Sequence, residues 1–199
     1  MIEIRRAQLG DCGFIRRLSV EMVGQGIPEG RDVPTEAVVD MCSQGLVDLE
    51  KWVLSKRDFA ILIALEQGNP VGFLILEFHH LEESTGEKQS YIFNLAVQPE
   101  AWGKYVGHEL CRAAAKISHQ RGYRYMTSKV TASNERALLT AIKLGFEIER
   151  YQLTMACGPE GPLKMPGRAM AERGHAVSRL LRTRKRKIIQ DEQESGEKT

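Results

Sequence analysis

The sequence predicts a mixed α/β domain, with helices layered on a sheet. Three observations carry that prediction. First, the hydrophobic period of residues 1–157 switches repeatedly between helical spacing and short strand-like apolar runs. Second, the resulting order is strand, two helices, three strands, helix, strand, helix and terminal strands, without a regular βαβ repeat. Third, no strand–GxGxxG–helix unit opens the chain, which argues against a doubly wound dinucleotide fold. At 199 residues the chain suits one domain with an appendage, and burial of about 70% of the unfolded surface makes a stabilising metal or disulfide unnecessary.

Each element has its own signal. Residues 3–7 read as a first strand. Residues 11–22 read as a helix, with Asp11 as candidate cap and Ile15, Leu18 and Met22 at helical spacing. Gly and Pro make 24–34 a loop, and 35–54 form a second helical region weakened at Gly45. Residues 59–65 are continuously apolar and read as a buried strand; a turn over 66–70 hands on to a partner strand over 71–78. A polar loop is expected over 79–89, then a strand over 90–97 that Pro99 stops. Residues 102–121 are helical, with Val106, Leu110, Ala114 and Ile117 on one face. A strand over 123–130 precedes a helix over 134–144, capped by Ser133 or Asn134 and closed by Gly145 at positive φ. One or two further strands are expected over 146–157.

Charge and punctuation divide the chain. Gly158, Pro159, Gly161, Pro162, Pro166 and Gly167 mark 158–167 as a linker after a domain spanning 1–157. Residues 168–189 read as a basic helix, and 164–189 hold nine Lys or Arg against Glu172 alone. Residues 190–199 are polar and acidic, the composition of a disordered tail. The overall charge of +2 therefore hides an acidic domain and a basic appendage.

Composition excludes several classes. No apolar run approaches the roughly 18 residues of a membrane span. The N-terminus is charged where a signal peptide is apolar, so a cytoplasmic location is expected. Cys12, Cys42, Cys111 and Cys157 form no CxxC pair and have apolar neighbours, which reads as small core residues, with no metal site.

The chemistry concentrates at the strand-to-helix crossing 94–110, NLAVQPEAWGKYVGHEL. A strand ends at Val97, Pro99 breaks it, and Gly103 and Gly107 fall at a helix start, where free N–H groups can hold phosphate. A plain loop with glycines for geometry is the competing reading. The segment 131–147, TASNERALLTAIKLGFE, is an amphipathic helix with ordinary caps.

Together, the two segments resemble the GCN5-related N-acetyltransferase (GNAT) superfamily over roughly residues 1–157. Val97, Gln98 and Pro99 match the family's V-x-P strand end, and 102–107 occupy its Q/R-x-x-G-x-G/A loop. Asn134, Ala137, Lys143, Gly145 and Phe146 match its N-x-x-A helix and K-x-G-F end. The resemblance implies a central, mostly antiparallel, splayed sheet flanked by helices. It also implies acetyl-CoA as acyl donor, held at Leu95, Ala96 and Val97, at Gly103, Lys104, Tyr105, Val106, Gly107 and His108, and at Asn134 and Ala137. The implied reaction is direct transfer of the acetyl group to a small-molecule amine or a protein amino group, without metal. A homodimer is a further implied partner, since relatives often pair.

This chain departs from the family pattern at three positions. Trp102 stands for the usual Gln or Arg, Tyr105 for a glycine, and Ala141 for the tyrosine that protonates the leaving thiolate in many relatives. Glu77, an acid ending the apolar face of Phe73 and Ile75, is the candidate base, against the reading of an outward-facing carboxylate. Asn94 is a candidate for positioning water or substrate. Two other functions compete: an acetyl-CoA-binding module with little or no catalysis, and an RNA- or ribosome-associated protein whose 168–189 stretch meets nucleic acid or another anionic surface.

Overall fold

The computed structural model describes residues 1–163 apart from Glu29, Lys56 and Glu160. It divides into two compact units, Met1–Ile148 and Glu149–Thr199. The basic helix expected over 168–189 and the acidic tail over 190–199 lie outside the described residues.

The first unit holds β1 (Ile2–Arg6), α1 (Cys12–Met22), α2 (Thr35–Gly45), α3 (Leu49–Ser55), β2 (Phe59–Glu66), β3 (Asn69–Leu81), β4 (Lys88–Val97), α4 (Val106–Gln120), β5 (Met126–Ser128) and α5 (Glu135–Leu144). The strands form one sheet in the order β1-β2-β3-β4-β5. Three pairings are antiparallel, and only β4–β5 is parallel, with α4 as its crossover.

The continuous apolar run in β2 follows from burial on both faces. Ile61, Ile63 and Leu65 face one way, with Phe73, Ile75 and Ala96, against Phe14, Ile15 and Leu18 of α1 and Leu49 and Val53 of α3. Ala60, Leu62 and Ala64 face the other, with Leu74, Leu76 and Ile92, against Val106, Leu110 and Ala114 of α4. The two faces are two cores divided by the sheet, each completed by helices.

Several local expectations are corrected. Asp11 precedes α1 but makes no side-chain capping bond. Its carboxylate instead accepts from both terminal nitrogens of Arg5, at 2.7 and 2.9 Å, and from the Gln8 N–H at 2.7 Å. The expected loop 79–89 shrinks to a turn, because β3 runs to Leu81 and β4 begins at Lys88. The Glu82 carboxylate holds that turn, accepting from the N–H groups of Ser84 and Thr85. The helix expected from 102 begins at Val106, after a 3-10 turn over Pro99–Ala101.

The strands expected over 146–157 are displaced. In the second unit, β6 (Ala156–Gly158) pairs only with β7 (Gly161–Leu163), in a separate two-stranded sheet. The first residues of the Gly- and Pro-rich stretch after 157 therefore belong to a tight hairpin. The sequence read 146–157 as strand from its apolar content, but backbone pairing depends on a partner edge, and none is taken up before Ala156.

Candidate functional site

The site is built from the outer edge of β4. This strand pairs with β3 along its whole length but with β5 only at Ser90, Tyr91 and Ile92. Beyond Ile92 no strand among the described residues covers that edge. The parting coincides with a register shift that leaves Phe93 as an extra residue, since Leu76 pairs with Ile92 and Ile75 with Asn94. Such a bulge bends and twists its strand.

The direction of the exposed groups follows from one hydrogen bond. The Gln98 N–H donates to the Val71 carbonyl at 2.9 Å, toward β3. Across a planar trans peptide the Val97 carbonyl must point the opposite way, to the open edge. By alternation, Leu95 directs its backbone outward too, whereas Ala96 turns to β3. Of the three strand residues singled out, Leu95 and Val97 therefore carry the outward groups. The indole N–H of Trp102 confirms the direction, donating to the Val97 carbonyl at 2.8 Å.

From Val97 the chain reaches α4 through the 3-10 turn and the loop 102–105. Gly103 and Tyr105 both have positive φ, 80° and 62°. Tyr105 is the residue before the helix, at ψ 16°. The first helical bond runs from the Glu109 N–H to the Tyr105 carbonyl at 3.0 Å. The amides of Val106, Gly107 and His108 come earlier and have no carbonyl one turn behind them. Three donors therefore gather at the positive end of a fifteen-residue helix.

The loop's side chains leave those amides open. Tyr105 is 76% exposed, and its ring meets the His108 ring edge-on with centroids 6.1 Å apart. It points into solvent and does not fill the strand gap. The Lys104 ammonium is 2.8 Å from a Glu66 carboxylate oxygen at the end of β2, so its charge is already paired. A buried close approach supports the loop from beneath. A Cβ at Gly72 would lie 3.0 Å from the Ala96 carbonyl oxygen and 3.2 Å from Val106.

The start of α5 adjoins this loop through Trp102. The Arg136 guanidinium carbon lies 3.5 Å from the centre of the Trp102 ring. Asn134 caps α5, its side-chain oxygen accepting from the Ala137 N–H at 3.2 Å. Gly145 closes the helix at φ 104°, and Ala141, half-buried on it, presents no proton donor.

The candidate base residues lie on the α1 and α3 side of the sheet. Glu77 pairs across to Phe59 on β2 and Tyr91 on β4. Leu95 pairs with Leu74, three residues before Glu77 on β3, so Glu77 sits about 10 Å along the sheet from Leu95. Burial, reinforced by the Glu77 charge, raises the Tyr91 phenol above its ordinary pKa. The His80 ring stacks on Tyr91 with centroids 4.7 Å apart. Asn94 is closer to the open edge, and its side-chain amide donates to the Ser19 hydroxyl of α1 at 3.2 Å. The structure therefore brings strand edge, loop and α5 start together, but sets Glu77 apart from them.

Sequence reasoning missed the pairing of Trp102 with Arg136 and the packing role of Gly72. Arg136, two residues after the Asn134 cap, had no signal of its own, because contact with Trp102 joins residues 34 positions apart. A surface pocket of about 400 Å³, lined by residues including Ser118, His119, Tyr123 and Tyr125, lies at the far end of α4 and contains none of the residues above. Among the described residues no cluster of His, Cys, Asp and Glu is placed to hold a metal, and no helix is long and apolar enough to cross a membrane.

A mostly antiparallel sheet, parted between its fourth and fifth strands and leading from the fourth into a helix start, defines a GNAT-type fold. The chain belongs to the acetyltransferase (GNAT) family, whose model matches residues 31–146. An uncharacterized N-acetyltransferase of Methanocaldococcus jannaschii is 25% identical over 97 residues, 49% of this chain and 43% of that protein. The match thus spans less than half the length of that relative.

Solved structures agree in fold. A GCN5-related N-acetyltransferase from Ralstonia eutropha superposes with a TM-score of 0.62 at 17% identity, covering 79% of this chain and 100% of that one. The PaiA N-acetyltransferase from Thermoplasma acidophilum, solved with coenzyme A, gives 0.62 at 20% identity, covering 76% and 93%. An aminoglycoside N-acetyltransferase in complex with CoA gives 0.59 at 18%, covering 78% and 94%.

Proposed function

We propose that this protein is an acyl-CoA-dependent N-acyltransferase that moves acetyl from acetyl-CoA to an amine by direct attack. One observation carries the reading. The outer edge of β4 at Leu95 and Val97, which no strand among the described residues pairs, leads through one short turn and loop to the free amides of Val106, Gly107 and His108.

Those groups match the two parts of the donor. An open strand edge bonds an extended amide-bearing chain as another strand would, which suits a pantetheine arm along Leu95, Ala96 and Val97. The helix start suits a diphosphate, with Gly103 and Tyr105 bending the loop so that the amides of 106–108 face outward. Lys104 lies at the rim, and Asn134 and Ala137 form the adjoining edge of α5. When bound, acetyl-CoA supplies a thioester carbonyl open to attack by a neutral amine.

The protein's contribution is position and electrostatics. Outward N–H groups of β4 polarise a carbonyl laid beside them and stabilise the negative charge that develops. Holding amine and thioester together supplies another large part of the acceleration. Asn94, tied to Ser19, orients the acceptor or a water, and Glu77 takes the amine's proton through water across its distance from the edge.

The reading is tested by calorimetric titration with acetyl-CoA, followed by thiol release with a panel of small amines and peptide amino termini. Micromolar uptake and amine-dependent thiol release are expected. Glu77→Gln should lower kcat/KM about 100-fold while leaving acetyl-CoA affinity intact; an unchanged pH–rate profile would remove Glu77 from the mechanism. Ala141 favours a second reading, an acetyl-CoA-binding module with weak turnover. Tight uptake without thiol release for any amine is the outcome that selects it.

A further inference from the structure

The loop between β4 and α4 places an indole, Trp102, ahead of the helix start. The only cation of the loop, Lys104, is paired with Glu66. The helix start therefore lacks a free positive side chain from its own segment. The structure supplies one from α5. The Arg136 guanidinium lies over the Trp102 ring, 3.5 Å from its carbon to the ring centre. Among the described residues it has no carboxylate partner at ion-pair distance. Trp102 is itself anchored, its N–H bonded to the Val97 carbonyl at the open edge.

We propose that Arg136, shelved on Trp102, is the phosphate-binding cation of this site. The inference rests on the acyl-CoA reading above and adds the residue that sets affinity for the donor's phosphates. A guanidinium stacked on an aromatic face keeps its edge free, and that edge presents N–H donors in a planar fork that fits phosphate. Ring stacking also fixes the long side chain before a ligand arrives, so less freedom is lost on binding. The indole N–H holds the shelf in place, and the stack holds the arginine.

The test measures the affinity of full-length wild-type, Arg136→Ala, Arg136→Lys, Trp102→Phe and Trp102→Ala proteins for CoA, dephospho-CoA and pantetheine. Circular dichroism of each variant confirms folding. Arg136→Ala should weaken CoA at least tenfold and leave pantetheine, which has no phosphate, within twofold of wild type. A loss retained with dephospho-CoA assigns the arginine to the diphosphate, and a loss confined to CoA assigns it to the 3′-phosphate. Arg136→Lys should recover part of the affinity. Trp102→Phe keeps a stacking face and should bind better than Trp102→Ala.

Wild-type uptake of CoA with Arg136→Ala within twofold of it would overturn this inference and leave the acyltransferase reading standing. Equal losses for CoA and pantetheine would also overturn it, since the role would then be structural. Failure of the folded wild type to take up CoA at all would remove the proposed function, and the inference with it.

Discussion

Tyr105 shows how one backbone angle shapes a loop. At φ 62° it adopts a left-handed conformation that costs an L-residue with a side chain about 1–2 kcal/mol and glycine almost nothing. Its ring buries little that would offset this, being 76% exposed. Tyr105→Gly is therefore expected to stabilise the fold by about 1 kcal/mol, raising Tm by a few degrees in a thermal melt. A lower Tm would mean that the edge contact with His108 matters more than the backbone.

Asp11 carries a second prediction at this scale. The Arg5 hydrogen bonds hold its carboxyl below the usual pKa, aided by the Gln8 N–H and opposed by burial. A depressed folded-state pKa contributes stability above the unfolded value of about 3.9, and that stability is lost as pH falls through the folded value. Urea unfolding of wild type and Asp11→Asn should differ by a constant amount near neutrality, and the difference should shrink progressively as pH falls below about 4. A gap that does not narrow as pH falls below the unfolded value would contradict the assignment.

At the scale of elements, the β3–β4 pair and α4 decide where the site lies. Gly72 lets the first turn of α4 sit directly on β3, because a Cβ there would meet the Ala96 carbonyl at 3.0 Å and the methyls of Val106 and Val97 at 3.2 Å. Two of those three neighbours belong to the strand that carries the open edge. Gly72→Ala should destabilise by about 1–3 kcal/mol through overpacking, seen as a lower midpoint in urea. It should also weaken acetyl-CoA uptake, since Val97 and Val106 must shift.

The same elements show how far sequence reading reaches. The α4 face of Val106, Leu110 and Ala114 was legible because a helix repeats its buried side every three or four residues. The α5 caps were legible because Asn134 and Gly145 act within one turn of themselves. The turn over 82–87 was hidden, since a run of polar residues reads as loop whether or not its ends still pair in a sheet.

At the scale of the molecule, the sheet separates two cores, and cysteines report on both. Cys12 is buried in the core that holds α3 and β2, and Cys111 is buried on the sheet-facing side of α4, where burial pushes its thiol up to about 11. Cys157, in the second unit, is exposed, contrary to its apolar neighbours. Thiol-reagent labelling of native protein at pH 8 should therefore modify Cys157 quickly and leave Cys12 and Cys111 unlabelled until denaturant is added. Rapid native labelling of Cys111 would show that the α4 face is not closed.

By itself, the sequence determined the fold class, the family resemblance, the glycine-marked helix start, and the order of strands and helices through α5 except that the single helical region read over 35–54 is two helices, α2 and α3. All of these rest on residues near one another along the chain, whose periodicity and caps act locally. Only the tertiary structure decided that β4 leaves β5 after Ile92, that Ala96 turns inward between Leu95 and Val97, that Lys104 is paired with Glu66, and that Arg136 lies on Trp102. Each is a contact between distant segments, and its geometry is set by the twist of the sheet and the packing of helices on it, which no local pattern of residues encodes.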